Sequence, residues 1–268
     1  MKRHVAYNNK WGDSPRCNMF QRTVPYTRLA LAVLALAFLS AEVHSQEPNP
    51  PRVLVVRLED QIIHPVTARF VTRALAQARE RGDPCVIIQL DTPGGLMDST
   101  RHLVKEILTS EVPVVVYIAP SGARAGSAGV FIALAAHVAV MAPGTNIGAA
   151  HPITLGGGPL PGGDGDPARN AGKNSGQQIL SEKITNDAVA WARALAEHRG
   201  RNSAWAIRAV RDSISTPAQE AWKEHVVDFL AVDQNDLLIQ LESRKIPLTG
   251  GSVVLHTKGA VVDRKSVV

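Results

Sequence analysis

The chain has 268 residues, 45% of them apolar but only 4% aromatic, so its core must be built from small aliphatic side chains in one large α/β domain with peripheral segments. The formal net charge of +5 is confined to the first 28 residues, where Lys2, Arg3, Lys10, Arg16, Arg22 and Arg28 stand against Asp13 alone. The other 240 residues balance at 23 basic and 23 acidic, which excludes nucleic-acid binding as the reason for the basic character.

Residues 29–41 form an apolar run ending in Leu39, Ser40 and Ala41. It is too short for the roughly 20 residues of a membrane span. With the basic stretch before it, the run reads as a secretory signal whose start could lie at Met19, the alternative being an uncleaved anchor. Cys17 would leave with the signal. Cys85 then stands alone in an apolar run, as a buried small side chain with no disulfide partner. Residues 1–45 are assigned to the leader, 46–52 to a Pro-rich spacer, 53–245 to the main domain and 246–268 to a C-terminal hairpin and tail.

Within the main domain strands and helices alternate. Residues 53–58 are an apolar run broken only by Arg57 and predict a strand. Residues 65–81 have helical spacing (Val66, Phe70, Ala74, Ala78) and stop at Gly82. A buried strand is predicted at 85–90, a helix at 96–108, a third strand at 112–118, a buried helix at 127–136 and a short strand at 138–141. Apolar runs, rather than period-two alternation, predict a parallel sheet covered on both faces. Residues 154–177, rich in Gly and Pro, read as a flexible surface loop. A long helix is predicted over 178–199 and another over 202–211, with Asn202 and Ser203 as its cap. A third starts at Thr216 with Pro217 in its first turn. A strand at 226–230, a helix at 235–241 and an edge hairpin over 253–262 complete the reading.

Three constellations carry chemistry. Gln89-Leu-Asp-Thr-Pro-Gly-Gly95 follows a buried strand and precedes a helix. Consecutive glycines there expose backbone N–H groups that suit the oxyanion of an acyl transfer, or serve only as a tight turn. Ser121-Gly-Ala-Arg-Ala-Gly-Ser-Ala-Gly129 again joins a strand to a helix. Ser127 sits at the helix start, where the dipole favours developing negative charge, and its small neighbours leave room for substrate. The Gly-x-Ser-x-Gly elbow is absent, because Ala125 occupies the first glycine position. Ser121 is the rival serine, read as a turn residue. A serine needs a base. Lys183, at the edge of an apolar helical stripe, is one candidate, with snorkelling to water as its ordinary role; His151, 24 residues after Ser127, is the competitor. No zinc-type Cys/His spacing and no phosphate-binding Gly-rich loop is present, so neither metal nor cofactor is expected.

Taken in order, Asp91-Thr-Pro-Gly-Gly95, Gly122-Ala-Arg-Ala-Gly-Ser-Ala-Gly-Val-Phe-Ile-Ala133 and Met141-Ala-Pro-Gly-Thr-Asn-Ile-Gly148 resemble the NfeD family of membrane-bound serine proteases, whose catalytic domain is similar to ClpP and to signal peptide peptidase SppA. The stretches 183–202 and 209–213 carry the resemblance further, to roughly residues 53–258. It implies a ClpP/crotonase-like spiral of ββα units and homo-oligomers. It also implies a Ser–Lys dyad of Ser127 and Lys183, with the backbone N–H groups of Gly95 and Ala128 as oxyanion donors. The implied substrate is a polypeptide with an apolar segment, and a stomatin-like membrane protein is the implied partner. Long members of the family continue into transmembrane helices and a small OB-like barrel. This chain ends before them, which reads as a short or truncated form. His151 stands where ClpP carries its histidine, so a Ser–His arrangement stays open. Lys223-Glu-His225 stands where a glycine turn is expected. The leading expectation is an exported serine endopeptidase facing the periplasm. An inactive scaffold on the same fold and a crotonase-like acyl-CoA enzyme are the alternatives.

Overall fold

The computed structural model describes the backbone of residues 50–153 and 167–266, and the side chains of 50–153 and 178–266. The leader and residues 154–166 of the expected loop lie outside the described residues. Pro50–Val268 forms one compact unit.

Its centre is a six-stranded sheet in the order β11-β1-β2-β3-β5-β8. The strands are β1 (Arg52–Leu58), β2 (Val86–Leu90), β3 (Val114–Ile118), β5 (Val138–Met141), β8 (Phe229–Leu230) and β11 (Val261–Ser266), all paired in parallel. The expected double covering is present. Leu54, Val56, Ile88 and Val116 face one apolar cluster, while Val53, Val55, Ile87 and Val115 face the other. Because side chains alternate along a strand, burial on both faces requires an unbroken apolar run.

The first cluster is covered by α1 (Pro65–Arg81), α2 (Met97–Leu108), α3 (Ala128–Ala135), α4 (Pro167–His198) and α5 (Ser203–Arg211). The helix α7 (Gln234–Leu241) covers the second. A small sheet runs in the order β4 (Arg124–Gly126), β6 (Asn146–Gly148), β7 (Ser215–Pro217) beside the first. Three-residue strands carry no periodicity, which is why the sequence does not reveal them.

Four expectations need correction. Residues 167–177, read as loop, form the first turns of α4; Pro167 opens the helix, where a missing N–H costs nothing. Thr216 does not cap the next helix. It is part of β7, and its hydroxyl accepts from the indole Nε1 of the fully buried Trp205 at 2.8 Å, so α6 (Ala218–Lys223) starts behind Pro217. A buried indole N–H needs an acceptor, and this one holds Thr216 in the strand. The strand expected over 226–230 shrinks to β8, since Val226 and Val227 turn back onto Ala221. The hairpin expected over 253–262 does not form. β10 (Gly251–Val254) pairs antiparallel with β9 (Lys245–Leu248), and β11 runs on to the edge of the main sheet beside β1. The glycine turn missing before Val226 is made by His225 itself, at φ 57°.

Ahead of β5, His137 is mostly buried, and its Nδ1 accepts from the backbone N–H of Val114 at 3.2 Å. Burial, with Arg199, Arg201 and His198 adding to it, pushes its pKa down to about 3. In the unfolded chain the imidazole titrates near 6.5. The unfolded state therefore takes up this proton first, and the stability is complete above pH 6.5 and drains away as pH falls towards 3. The expected loss from this group alone is on the order of a few kcal/mol. Urea melts at pH 7 and pH 4 on the parent and on His137→Asn check it. Equal pH slopes for the two proteins would show that His137 contributes nothing.

Candidate active site

The site lies at the carboxyl ends of β2 and β3, where ligands gather in open parallel sheets. After β2 the chain enters the turn Asp91-Thr-Pro-Gly-Gly95. Thr92 is fully buried. Its hydroxyl donates to the carbonyl of Gln61 at 2.6 Å and accepts from the N–H of Gly94 at 3.1 Å. Its backbone accepts from Gly126 N–H and donates to the carbonyl of Arg124, which ties the turn to β4. The Asp91 carboxylate accepts from Arg124 N–H at 3.0 Å and adds a third tie.

Beyond the turn, Ile63 N–H donates to Gly94 O at 2.9 Å, and Leu96 N–H donates to Ile63 O at 2.8 Å. The Gly94-Gly95 pair is thus held like a short strand against Ile63. Side chains would not fit here. A Cβ on Gly95 would lie 2.3 Å from Ile63 O, and one on Gly94, whose φ is +139°, would lie 2.8 Å from Cβ of Ser127.

Ser127 stands between β4 and α3, at φ 47° and ψ −106°. That conformation is strained for a residue with a Cβ, and such strain gathers at functional sites. A strained serine between a strand and a helix is the geometry of a nucleophile elbow, reached here without the sequence motif. The Ser127 side chain makes no cap bond to α3. Its backbone N–H donates to Gly148 O at 3.1 Å and is occupied. Among the described residues, the N–H groups of Gly95 and Ala128 donate to nothing. Both residues line the same cleft as Ser127.

That cleft is about 750 Å³, and its walls are mostly apolar: Ile62, Leu96, Met97, Phe131, Ile153 and Ile184. Three of these are open to solvent, Ile153 at 82%, Ile62 at 56% and Leu96 at 45%. His151 lines it as well. Its Nδ1 lies 3.1 Å from the carbonyl of Val210. A carbonyl only accepts, so Nδ1 donates, and in the neutral imidazole Nε2 is then the acceptor.

Three of the four expected site residues, Ser127, Gly95 and Ala128, therefore share one cleft. Lys183 does not line it: it is exposed on α4, one residue before the cleft-lining Ile184. Ser121 is a turn residue whose hydroxyl donates to Pro143 O at 2.7 Å. Cys85, just ahead of β2, is fully buried, and burial pushes its thiol up to about 12, away from the thiolate a nucleophile needs. Sequence reasoning missed Thr92 and Ile63, which hold the glycine turn. Thr92 lay within the motif, but nothing in the sequence marked Ile63, because its part is played by its backbone.

The parallel sheet, with a strained serine at the start of a buried helix and a glycine turn opposite, defines a ClpP/crotonase-like α/β protein. The profile of the NfeD1b N-terminal domain matches residues 52–162. The membrane-bound protease PH1510 of Pyrococcus horikoshii is 33% identical over 233 residues, 85% of this chain and 48% of the relative. The membrane protein NfeD1b of Bacillus subtilis is 33% identical over 120 residues, 45% of this chain and 26% of the relative. This chain thus spans about half the length of the first of these relatives and about a quarter of the second.

Two solved forms of a membrane-bound stomatin-specific protease domain, 1510-N, superpose on it at 32% identity. A serine-to-alanine mutant has a TM-score of 0.68 and covers 82% of this chain and 99% of its own. A lysine-to-alanine mutant in complex with a substrate peptide has a TM-score of 0.66 and covers 82% and 93%. The chain belongs to the NfeD family. Among the described residues no helix is long and apolar enough to cross a membrane.

Proposed function

We propose that the protein is a serine endopeptidase in which Ser127 attacks a peptide carbonyl and the N–H groups of Gly95 and Ala128 hold the resulting oxyanion. The observation that carries this reading is the strained Ser127 in an apolar cleft with two unoccupied N–H groups beside it. Donors set in place before the reaction stabilise the charge without reorganising. Lys183 is the base: it takes the hydroxyl proton, hands it to the departing amine, and, neutral again, activates the water that releases Ser127. Support comes from its place on the helix that walls the cleft and from the serine and lysine mutants made of the solved relative. The apolar walls suit a hydrophobic segment of a membrane-associated polypeptide. A stomatin-like protein is the partner class, by likeness to the stomatin-specific relative. The basic leader and apolar run at 29–41 support export to the periplasmic side of the membrane, and homo-oligomers are expected from the fold.

The second reading concerns the base. His151 shares the cleft with Ser127 and presents Nε2 as an acceptor, which a general base requires.

The test is hydrolysis of casein and of an apolar peptide by the purified chain, with fluorophosphonate labelling in parallel. Lys183→Ala is expected to cut kcat by about a thousandfold or more, with His151→Ala within about tenfold of the parent. The reverse pattern would give the base to His151. A folded parent that neither cleaves nor labels would replace the enzyme with a scaffold, and specific thioester turnover would favour an acyl-CoA enzyme.

A further inference from the structure

We infer that Arg101 is a positioning residue for the reaction, fixing the Lys183 helix α4 against the two elements that carry the glycine turn and Ser127. The inference rests on the Ser–Lys reading above. Arg101 lies on α2, which begins two residues after Gly95. Its guanidinium sits 4.4 Å from the ring centre of Trp191 and pairs with the Asp187 carboxylate. Asp187 and Trp191 stand on α4 about one and two turns beyond Lys183. One cation therefore grips the base-bearing helix at two successive turns.

The same indole continues the linkage to the nucleophile. Trp191 stacks on Phe131, with ring centroids 4.3 Å apart and planes 16° from parallel. Phe131 is on α3, four residues after Ser127, and lines the cleft. The contacts thus run from the glycine-turn helix through Arg101 and Trp191 to the serine helix, with Lys183 on the strut between them.

The other buried side chains of α4 are Ala188, Ala192 and Ala196, with Val189 and Leu195. Such a surface attracts without fixing rotation or slide, whereas an ion pair and a cation over a ring are directional. The Arg101 and Asp187 side chains are 38% and 69% exposed, and pairs so open to water add little to stability. What this contact alters is therefore placement, and a misplacement of about 1 Å can cost on the order of a hundredfold in rate.

The experiment compares kcat, KM and melting temperature for the full chain and six variants, with active sites counted by titration. Arg101→Gln is expected to lower kcat about tenfold with KM within about twofold. The melting temperature should stay within about 2 °C, as befits an exposed pair. Arg101→Lys, which keeps the charge but loses the planar stack, should fall between it and the parent. Arg101→Asp and Asp187→Arg alone should each be impaired, and the two together should recover kcat beyond either single change. The inference is overturned if Arg101→Gln keeps the parental kcat, or if it melts early with kcat per folded site unchanged. Charge reversals that show no coupling overturn it too. Lys183→Ala run alongside separates the two failures. If that variant is fully active, the Ser–Lys reading falls and takes this inference with it; if it is dead while Arg101→Gln works normally, only the inference falls.

Discussion

Ser127→Ala is expected to fold like the parent and to lose peptide hydrolysis by on the order of 10⁴-fold or more. The size follows from the role. Once the nucleophile is gone, only the oxyanion donors and substrate binding remain, and these give a small residual acceleration. The fold should survive because Ser127 Oγ makes no cap bond and the replacement keeps a Cβ at the same strained φ of 47°. Fluorophosphonate labelling should vanish in the variant, while its unfolding free energy from urea melts should lie within about 1 kcal/mol of the parent. Labelling that survives the substitution would move the nucleophile elsewhere. Ser121 would be the first place to look, although its hydroxyl is engaged with Pro143 O.

The second large effect is expected at Gly95. A methyl group there would sit 2.3 Å from Ile63 O and 2.5 Å from Ile63 Cβ. The first of these is a backbone atom, so no rotamer change can relieve it. The turn must move away from Ile63, and Gly95 N–H must leave its place beside Ser127. The cost in stability is about 1 to 3 kcal/mol. Loss of one oxyanion donor costs on the order of a hundred- to a thousandfold in kcat. Gly250→Ala is the control, since no atom lies within 4 Å of a Cβ built there and its φ is ordinary. A Gly95→Ala protein with parental stability and activity would remove the turn from the oxyanion role.

The two results together would separate the nucleophile from the donor. Ser127→Ala should be dead but stable, and Gly95→Ala weak and less stable. A catalytically inert member of the fold would show only the second effect on stability, with no activity to lose.

Much of this could be read without a structure, for reasons that are local. Runs such as 53–58, broken only by Arg57, and 112–118 are apolar without alternation, and only a strand covered on both faces needs that pattern. The helix α1 was bounded correctly at both ends, Pro65 and Arg81, because its start and stop signals are carried by residues next to them. Ser127 and the Gly94-Gly95 pair were legible as candidates because a serine among small residues and a glycine pair, each between a strand and a helix, stand out in the sequence itself; Gly95 and Ala128 as donors came only from the family resemblance.

Other features were decided in three dimensions. β11 joins β1 across about 200 residues of chain, whereas its sequence reads as the last two residues of a hairpin and a tail; only the open edge of the sheet determines its partner. Thr216 has the local marks of a helix cap, yet the buried indole of Trp205 claims its hydroxyl. Ile63 shapes the glycine turn through its N–H and C=O, which every residue but proline has, so its identity could not announce the role. The strain at Ser127 and the freedom of the Gly95 and Ala128 N–H groups likewise depend on what surrounds them. Sequence by itself singled out Ser127 and the glycine turn as candidates for the chemistry, because side-chain type and local pattern are written in the chain. The tertiary structure decided which backbone groups stay unoccupied and which strands meet, because both depend on partners that are distant in sequence.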